Sequence, residues 1–249
     1  MSQEVVIVGG ARTPMAEYSG TPGYGKLKGM TAIDLAAHAA KAAIERSKID
    51  PESIDHTIVG NALQTSNDAI YGARHVSLKA GVPEAVPALT VNRLCGSGIQ
   101  SIINASQLIQ LDEAKTVLAG GMENMSQAPH VLHGARGGYR LGVQPQLEDP
   151  LFASLYDPIG ATYMAQTAAA IARRLDISRE AQDEYALRSH KLGAEAVSSG
   201  RFAEEIAPIV IPNKRGDITV ETDDHNKPEP WIEGLPILRP AFGKGGTVT

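Results

Sequence analysis

The stretch NRLCGSGIQS, at residues 92–101, decides how the first part of this chain folds. A short apolar run at residues 88–92 leads into it, and isoleucines at helical spacing follow it, at Ile99, Ile102 and Ile103. The stretch therefore predicts a corner between a β-strand and an α-helix. Cys95 lies in this corner and is the single cysteine among 249 residues.

The residues on either side of the corner alternate between strand-like and helix-like patterns. Strand-like runs occur at residues 5–8, 54–59, 88–92 and 117–119. Helical patterns occupy residues 31–47 and 68–80. Thr31 and Asp34 have capping-box spacing at the start of the first helix, and Gly81 is expected to end the second. Strands and helices that alternate across short loops predict an α/β domain whose mainly parallel sheet is covered by helices.

The pattern changes after about residue 123. Residues 125–157 are rich in glycine and proline and show no sustained period. Residues 162–175 are predicted to be helical, Ser178 is expected to cap a further helix that ends before Gly200, and residues 206–211 and 217–220 are predicted to pair as strands. We therefore expect an α/β domain at residues 1–122 and a region of helices and loops at residues 123–249.

Composition and charge exclude several classes of function. The net charge of −5 argues against nucleic acid as a partner, and no apolar run approaches the roughly 18 residues of a membrane span. A single cysteine forms neither an intramolecular disulfide nor a cysteine cluster for zinc. His130 and His133 have helical spacing but no third ligand nearby, so no metal site is expected. These features, with no secretory signal pattern, favour the cytoplasm.

The predicted corner gives Cys95 a possible chemistry. Helix N-termini favour anions, so a thiolate at this place is stabilised and becomes a better nucleophile. Gly96 and Gly98 allow the close approach of backbone or substrate, and Ser97 adds a hydroxyl. A thiolate in such a corner suits covalent acyl transfer. The alternative from residue type alone is that Cys95 is a small buried apolar side chain.

Several motifs together resemble the thiolase family of acyl-CoA acyltransferases. In order of position, these motifs are VIVGGARTP at 6–14, NRLCGSGIQS at 92–101, GGMENMSQAPH at 120–130, ISREAQDEYALRSH at 177–190 and LRPAFGKGGTVT at 238–249. The resemblance covers essentially the whole chain. It implies the N-terminal half of a layered αβαβα fold, with a mixed, mostly parallel sheet that lacks its last strand. Residues 123–249 would then be the family's helical loop domain, which binds coenzyme A and makes oligomer contacts.

The resemblance also implies roles for individual residues. Cys95 matches the nucleophile that accepts the acyl group, its backbone N–H matches an oxyanion donor, and Gly96 and Gly98 keep the helix start tight. Met164 matches a residue of the acyl pocket. Lys227 falls in the segment that meets the nucleotide end of coenzyme A, although a solvated loop lysine is an equally good interpretation. The implied reaction is a ping-pong transfer that makes or cleaves a 3-ketoacyl-CoA, with acetoacetyl-CoA as the expected substrate.

The resemblance implies partners as well. They are acyl-CoA and free coenzyme A, with no cofactor beyond these thioesters, and a second copy of the chain in a homodimer or homotetramer. The dimer contact would run through residues 91–93.

The sequence departs from the family pattern in ways that leave alternatives open. The family's Gly-His-Pro motif and its second cysteine are absent, so we expect an N-terminal portion of a thiolase that is inactive by itself. Tyr163 stands where some members carry a histidine, which leaves the preferred acyl chain length open. A decarboxylating ketoacyl synthase is one alternative. A catalytically incomplete fragment that binds coenzyme A without turnover is another.

Overall fold

The computed structural model describes residues 4–18, 25–226, 234–243 and 245–249. The chain forms two compact units. The first combines Met1–Ala128 with Phe202–Asp224, and the second combines Pro129–Arg201 with His225–Thr249. The first unit therefore takes in a segment that the predicted boundary at residue 122 assigns to the second domain.

A parallel three-stranded sheet forms the centre of the first unit. Its strands are β1 (His56–Gly60), β2 (Ala88–Val91) and β3 (Val117–Gly121), in the order β2-β1-β3. Val59 of β1 pairs with Thr90 of β2 and with Gly120 of β3. Three helices connect or flank the strands, namely α1 (Ala32–Ser47), α2 (Gly72–Ala80) and α3 (Ser97–Gln110). The predicted parallel sheet covered by helices is thus confirmed.

The helices begin and end where side chains and glycines satisfy their terminal backbone groups. The Thr31 hydroxyl accepts a hydrogen bond from the Asp34 N–H at 3.0 Å and so caps α1. Gly81 ends α2 in the left-handed conformation, with φ at +93°. Both ends were predicted from the sequence.

The main core lies where α1 and α2 pack against each other and against the sheet. Its members are aliphatic and almost fully buried: Ala32, Ile33, Ala40, Ile44, Ile54, Val59, Ala73, Val76, Ala80, Val82 and Met122. Thr57 of β1 and Ser77 of α2 are also fully buried, and the Thr57 hydroxyl donates to Ser77 Oγ at 3.1 Å. Because each hydroxyl finds a partner, the polar pair fits in the apolar core.

Helix α3 packs closely against the sheet because small residues face it. Its buried residues are Ser97, Ser101 and Ala105. A Cβ atom added at Gly60 would lie only 2.6 Å from the carbonyl carbon of Ser97. Glycine is therefore required at the end of β1 for the start of α3 to come this near.

Residues 5–8 do not form the strand that their β-branched sequence predicts. They lie outside the described strands, and Val6, Ile7 and Val8 are 65%, 81% and 63% exposed. A cavity of about 540 Å³ is bordered by residues of this segment, α1, α3 and β3. A strand needs a hydrogen-bonded neighbour, and none of the described strands pairs with this segment, so the prediction was wrong.

A β-hairpin from later in the sequence completes the first unit. It consists of β8 (Ile209–Ile211) and β9 (Ile218–Val220), which pair antiparallel as predicted. Ile209 and Val220 are buried together with Leu27 and Leu35. Near the hairpin, the Arg12 guanidinium donates bidentate hydrogen bonds to the Asp223 carboxylate at 2.8 and 2.9 Å. This long-range packing explains why the hairpin belongs to the first unit.

The second unit consists of two longer helices and several short elements. The helices are α5 (Met164–Arg174) and α6 (Arg179–Ser198). The short elements are β4 (Val131–Leu132), β5 (Leu147–Glu148), α4 (Pro150–Ala153), β6 (Tyr156–Asp157) and β7 (Thr162–Tyr163). Ser178 caps α6, as predicted, by accepting from the Ala181 N–H at 3.1 Å. Among the described helices, none is long and apolar enough to cross a bilayer.

Candidate functional site: the Cys95 corner

The predicted corner lies between the end of β2 and the start of α3. Cys95 is a free thiol with an exposed side chain, two residues before the first residue of α3. The interpretation of Cys95 as a small buried side chain is therefore wrong. Gly96 is the N-cap residue of α3 and Gly98 is the second residue of the helix.

The backbone of the corner turns through an unusual conformation at Leu94. Its φ angle is +49°, in the left-handed region that side-chain-bearing residues rarely adopt. The Leu94 N–H donates to Asn92 Oδ1 at 2.9 Å, which closes a tight side-chain turn. The Leu94 side chain is 65% exposed, so packing of that side chain does not hold the conformation.

Ser97 fixes the other side of the same turn. Its hydroxyl accepts from the Arg93 N–H at 2.9 Å and donates to the Leu94 carbonyl at 2.6 Å. The Gly96 N–H also donates to the Arg93 carbonyl at 3.1 Å. The backbone on both sides of Cys95 is thus held by hydrogen bonds.

The backbone N–H of Cys95 remains available at this corner. It donates to no other group in the part of the chain that the structure describes. Because it lies just before α3, the partial positive charge of the helix N-terminus adds to its own dipole. The N–H and the thiol are therefore suited to hold an oxyanion next to a nucleophilic sulfur.

The three parallel strands bring their carboxyl ends to the edge where Cys95 lies. The Asn61 N–H donates to the Val91 carbonyl at 3.0 Å, and the Met122 N–H donates to the Gly60 carbonyl at 2.9 Å. The loops after β1, β2 and β3 therefore lie side by side. This edge of a parallel sheet is where α/β proteins place their ligands.

Glu123 joins the loop after β3 to the loop after β1. Its carboxylate accepts from the backbone N–H groups of Ala62 and Leu63, both at 3.0 Å, and from Asn61 Nδ2 at 2.9 Å. Sequence reasoning did not single out Glu123 as a residue of the site. The available signal was its position directly after a strand, in GGMENMS.

Asn124 of the same motif has a structural role. It is buried, and its side-chain amide donates to the Met30 carbonyl at 2.6 Å and to the Leu27 carbonyl at 3.3 Å. Its Oδ1 accepts from the Ser126 N–H at 3.1 Å. The segment after β3 is thereby tied to the residues that precede α1.

The other predicted site residues lie elsewhere. Met164 is the first residue of α5 in the second unit, and its side chain is 58% exposed. It follows Tyr163, whose ring contacts an aromatic cluster formed by Phe152, Tyr156 and Phe242 at centroid distances of 5.0–6.2 Å. Lys227 lies outside the described residues.

Potential metal ligands do not gather anywhere in the described residues. No three His, Cys, Asp or Glu side chains come together there. His133 contacts Glu148 at 3.4 Å across the β4–β5 pair, so this histidine already has a carboxylate partner.

Solved structures of one class of proteins share the fold of this chain over almost its whole length. The crystal structure of human mitochondrial 3-ketoacyl-CoA thiolase in complex with CoA matches with a TM-score of 0.89 and 47% identity, over 97% of this chain and 59% of that chain. The crystal structure of the Bacillus anthracis acetyl-CoA acetyltransferase matches with a TM-score of 0.91 and 36% identity, over 100% and 61%. The predicted thiolase fold is confirmed.

The sequence relationship defines the family. The pattern described as "Thiolase, N-terminal domain" matches residues 5–249, and this chain belongs to that family. The 3-ketoacyl-CoA thiolase of Homo sapiens mitochondria is 47% identical over 245 residues, which is 98% of this chain and 60% of that protein. The chain thus spans about 60% of the length of this curated relative.

Proposed function

We propose that this chain is the Cys95-bearing part of an acyl-CoA acyltransferase of thiolase type, which makes or cleaves 3-ketoacyl-CoA. The observation that carries the proposal is the placement of Cys95, an exposed free thiol beside an available N–H at the start of α3. The names of the similar proteins, 3-ketoacyl-CoA thiolase and acetyl-CoA acetyltransferase, support the same chemistry.

The first half of the reaction would take place on Cys95. Its thiolate attacks the thioester carbonyl of an acyl-CoA, and a carbon–sulfur bond to Cys95 forms. The carbonyl oxygen becomes an oxyanion, to which the Cys95 N–H donates a hydrogen bond. When the carbonyl re-forms, the bond to the CoA sulfur breaks, and free CoA leaves as its thiolate and takes up a proton. The acyl group remains on Cys95 as a thioester.

The second half would form the carbon–carbon bond. A second acyl-CoA loses an α-proton to a base, and its carbanion attacks the carbonyl of the acylated Cys95. The carbon–sulfur bond breaks, the Cys95 thiolate is regenerated and 3-ketoacyl-CoA leaves. The reverse sequence cleaves a 3-ketoacyl-CoA with free CoA. The resemblance assigns the base and the partner that activates the thiol to a second cysteine and a Gly-His-Pro motif, which this sequence does not contain.

The proposed substrates are short acyl-CoA thioesters, with acetoacetyl-CoA as the cleaved compound, and they require no further cofactor. Coenzyme A is named as the bound molecule in one human thiolase structure. In this chain, Met164 is proposed to line the acyl pocket, and its exposed thioether gives it a surface for an apolar chain. Lys227 is proposed to meet the phosphates, for which a cation is suited.

The proposal includes assembly and location. The polypeptide would form a homodimer or homotetramer through the outer edge of β2, near which Leu89 and Leu94 are 46% and 65% exposed. It would act in fatty-acid metabolism in the cytoplasm, with neither a membrane nor nucleic acid as a partner. The net charge of −5 supports the exclusion of nucleic acid as a partner.

A second candidate is a chain that binds coenzyme A without turnover. One observation favours it. No histidine or carboxylate among the described residues forms a hydrogen bond with Cys95. Such a chain would leave the thiol unactivated by a base.

Isotope exchange separates the two candidates. The chain is incubated with acetyl-CoA and labelled free CoA, and the transfer of label into acetyl-CoA is measured with the parent and with Cys95→Ser. An acyltransferase half-reaction requires exchange in the parent and none in the variant, because label enters only through an acyl-enzyme. Binding of CoA by calorimetry without exchange would support the second candidate.

A further inference from the structure

The left-handed backbone at Leu94 requires an explanation beyond the residue itself. Leucine is disfavoured at a φ of +49°, because its Cβ comes close to the backbone. Packing does not compensate, since the side chain is 65% exposed. The conformation is therefore held by groups outside the Leu94 side chain.

Asn92 uses both ends of its side-chain amide at this point. Its Oδ1 accepts from the Leu94 N–H at 2.9 Å, and its Nδ2 donates to the Ala62 carbonyl at 3.2 Å. One side chain thus links the corner after β2 to the loop after β1. An alanine at this position would leave both backbone groups without these partners.

The loop that receives Asn92 is itself fixed. The Ala62 N–H donates to Glu123 Oε2 at 3.0 Å, and the Leu63 N–H donates to Glu123 Oε1 at the same distance. Glu123 directly follows Met122, which is 8% exposed and belongs to the main core. A continuous chain of hydrogen bonds therefore runs from the end of β3 through Ala62 and Asn92 to Leu94.

We propose that Asn92 is a positioning residue for Cys95. By capturing the Leu94 N–H while anchored on Ala62, it keeps Leu94 in the left-handed conformation. This conformation presents the thiol and the N–H of Cys95 together at the start of α3. Asn92 acts through Leu94 and touches no substrate. The consequence for acyl transfer rests on the proposed function, whereas the consequence for the corner itself does not.

The experiment measures how fast Cys95 reacts with iodoacetamide, which is small and uncharged. Cys95 is the single cysteine, so each modification seen by intact-protein mass spectrometry reports this thiol alone. The rates are measured on the full chain, with circular dichroism and thermal melting of every variant to establish that it is folded. We expect Asn92→Ala to lower the rate about fivefold or more, because Leu94 then leaves the left-handed region in most molecules.

The choice of residue at position 94 separates positioning from general damage. Leu94→Gly and Leu94→Ala both remove the exposed side chain, but only glycine enters the left-handed region without steric cost. In the Asn92→Ala background, Leu94→Gly should restore the rate to within about twofold of Leu94→Gly alone. Leu94→Ala should not restore it.

Two results would overturn the proposal. One is a folded Asn92→Ala chain whose rate lies within twofold of the parent. The other is equal behaviour of Leu94→Gly and Leu94→Ala in the Asn92→Ala background. Failure of the proposed function has a separate signature, since it abolishes isotope exchange in the parent and leaves the order of the iodoacetamide rates unchanged.

Discussion

The sheet of the first unit has two flanks with similar sequences and different structures. On one flank β1 pairs with β2, and Ile58 and Val59 of β1 are 0% and 3% exposed. On the other flank, residues 5–8 read VVIV, yet Ile7 is 81% exposed and a cavity of about 540 Å³ is bordered both by this segment and by β3. β-Branched residues favour a strand only where a neighbouring strand is present to pair with and to cover them. Cys95 follows β2, which is hydrogen-bonded to β1, whereas residues 5–8 pair with no described strand.

The largest difference between the flanks should appear in stability. Ile58→Ala removes a fully buried side chain from β1 and should lower the free energy of unfolding by about 2–5 kcal/mol. Ile7→Ala is the matched change on the other flank and should stay within about 0.5 kcal/mol of the parent, because its side chain is already in water. Urea unfolding measures both. Equal losses would show that residues 5–8 are packed in solution, and the contrast between the flanks would be lost.

The close approach of α3 to β1 gives the next largest effect. In Gly60→Ala the new methyl group would lie 2.6 Å from the Ser97 carbonyl carbon, so α3 must shift, at a cost of about 1–3 kcal/mol. Because Ser97 also holds the Cys95 corner, the iodoacetamide rate should fall as well.

Gly10→Ala is the control for Gly60→Ala. Nothing lies within 4 Å of the position that its Cβ would take. The free energy of unfolding of Gly10→Ala, and the rate at which its Cys95 reacts with iodoacetamide, should both match those of the parent. If thermal melting found Gly60→Ala as stable as Gly10→Ala, the sheet and α3 would not be in the contact described.

The smallest expected effect concerns an ion pair between α1 and α2. The hydrogen bond from Lys79 lowers the pKa of Asp34 below its ordinary value of 3.8. A depressed carboxyl pKa stabilises the fold above the ordinary value, and the contribution is lost as pH falls through the lower folded pKa. Both side chains are more than one-third exposed, so screening limits the pair to about 1 kcal/mol or less.

Asp34→Asn tests this ion pair. The variant should be slightly less stable than the parent at pH 7, and the two should converge as pH falls below about 4. Urea unfolding at several pH values measures the difference. A gap that is constant with pH would mean that the carboxylate charge contributes nothing.

Much of the fold could be predicted because its signals are local. Thr31 as a cap, Gly81 as a helix end and the corner at residues 92–101 each depend on a few neighbouring residues. Two features depend on distant parts of the chain and were missed. Residues 5–8 lack a strand neighbour, and the β8–β9 hairpin packs on Leu27 and Leu35. A local pattern does not contain the partner that decides such cases.

The residues of the candidate site divide in the same way, into one with a local sequence signal and others that act through distant parts of the chain. Cys95 was singled out because a lone thiol at a helix start has a recognisable chemistry and because the motifs around it resemble those of a known family. Asn92 and Glu123 were not, because they act through hydrogen bonds to backbone groups about 30 and 60 positions away. Asparagine and glutamate in loops usually face water, so residue type gave no signal for them, and the one local signal for Glu123 was its position directly after a strand.

The most direct test of the central claim is intact-protein mass spectrometry after incubation with acetyl-CoA, on the parent chain and on Cys95→Ser. The account predicts a single acetyl adduct on the parent, sensitive to hydroxylamine as a thioester is, and none on the variant. An adduct of equal yield on Cys95→Ser, or a folded parent that acquires none, would contradict the claim that Cys95 accepts the acyl group.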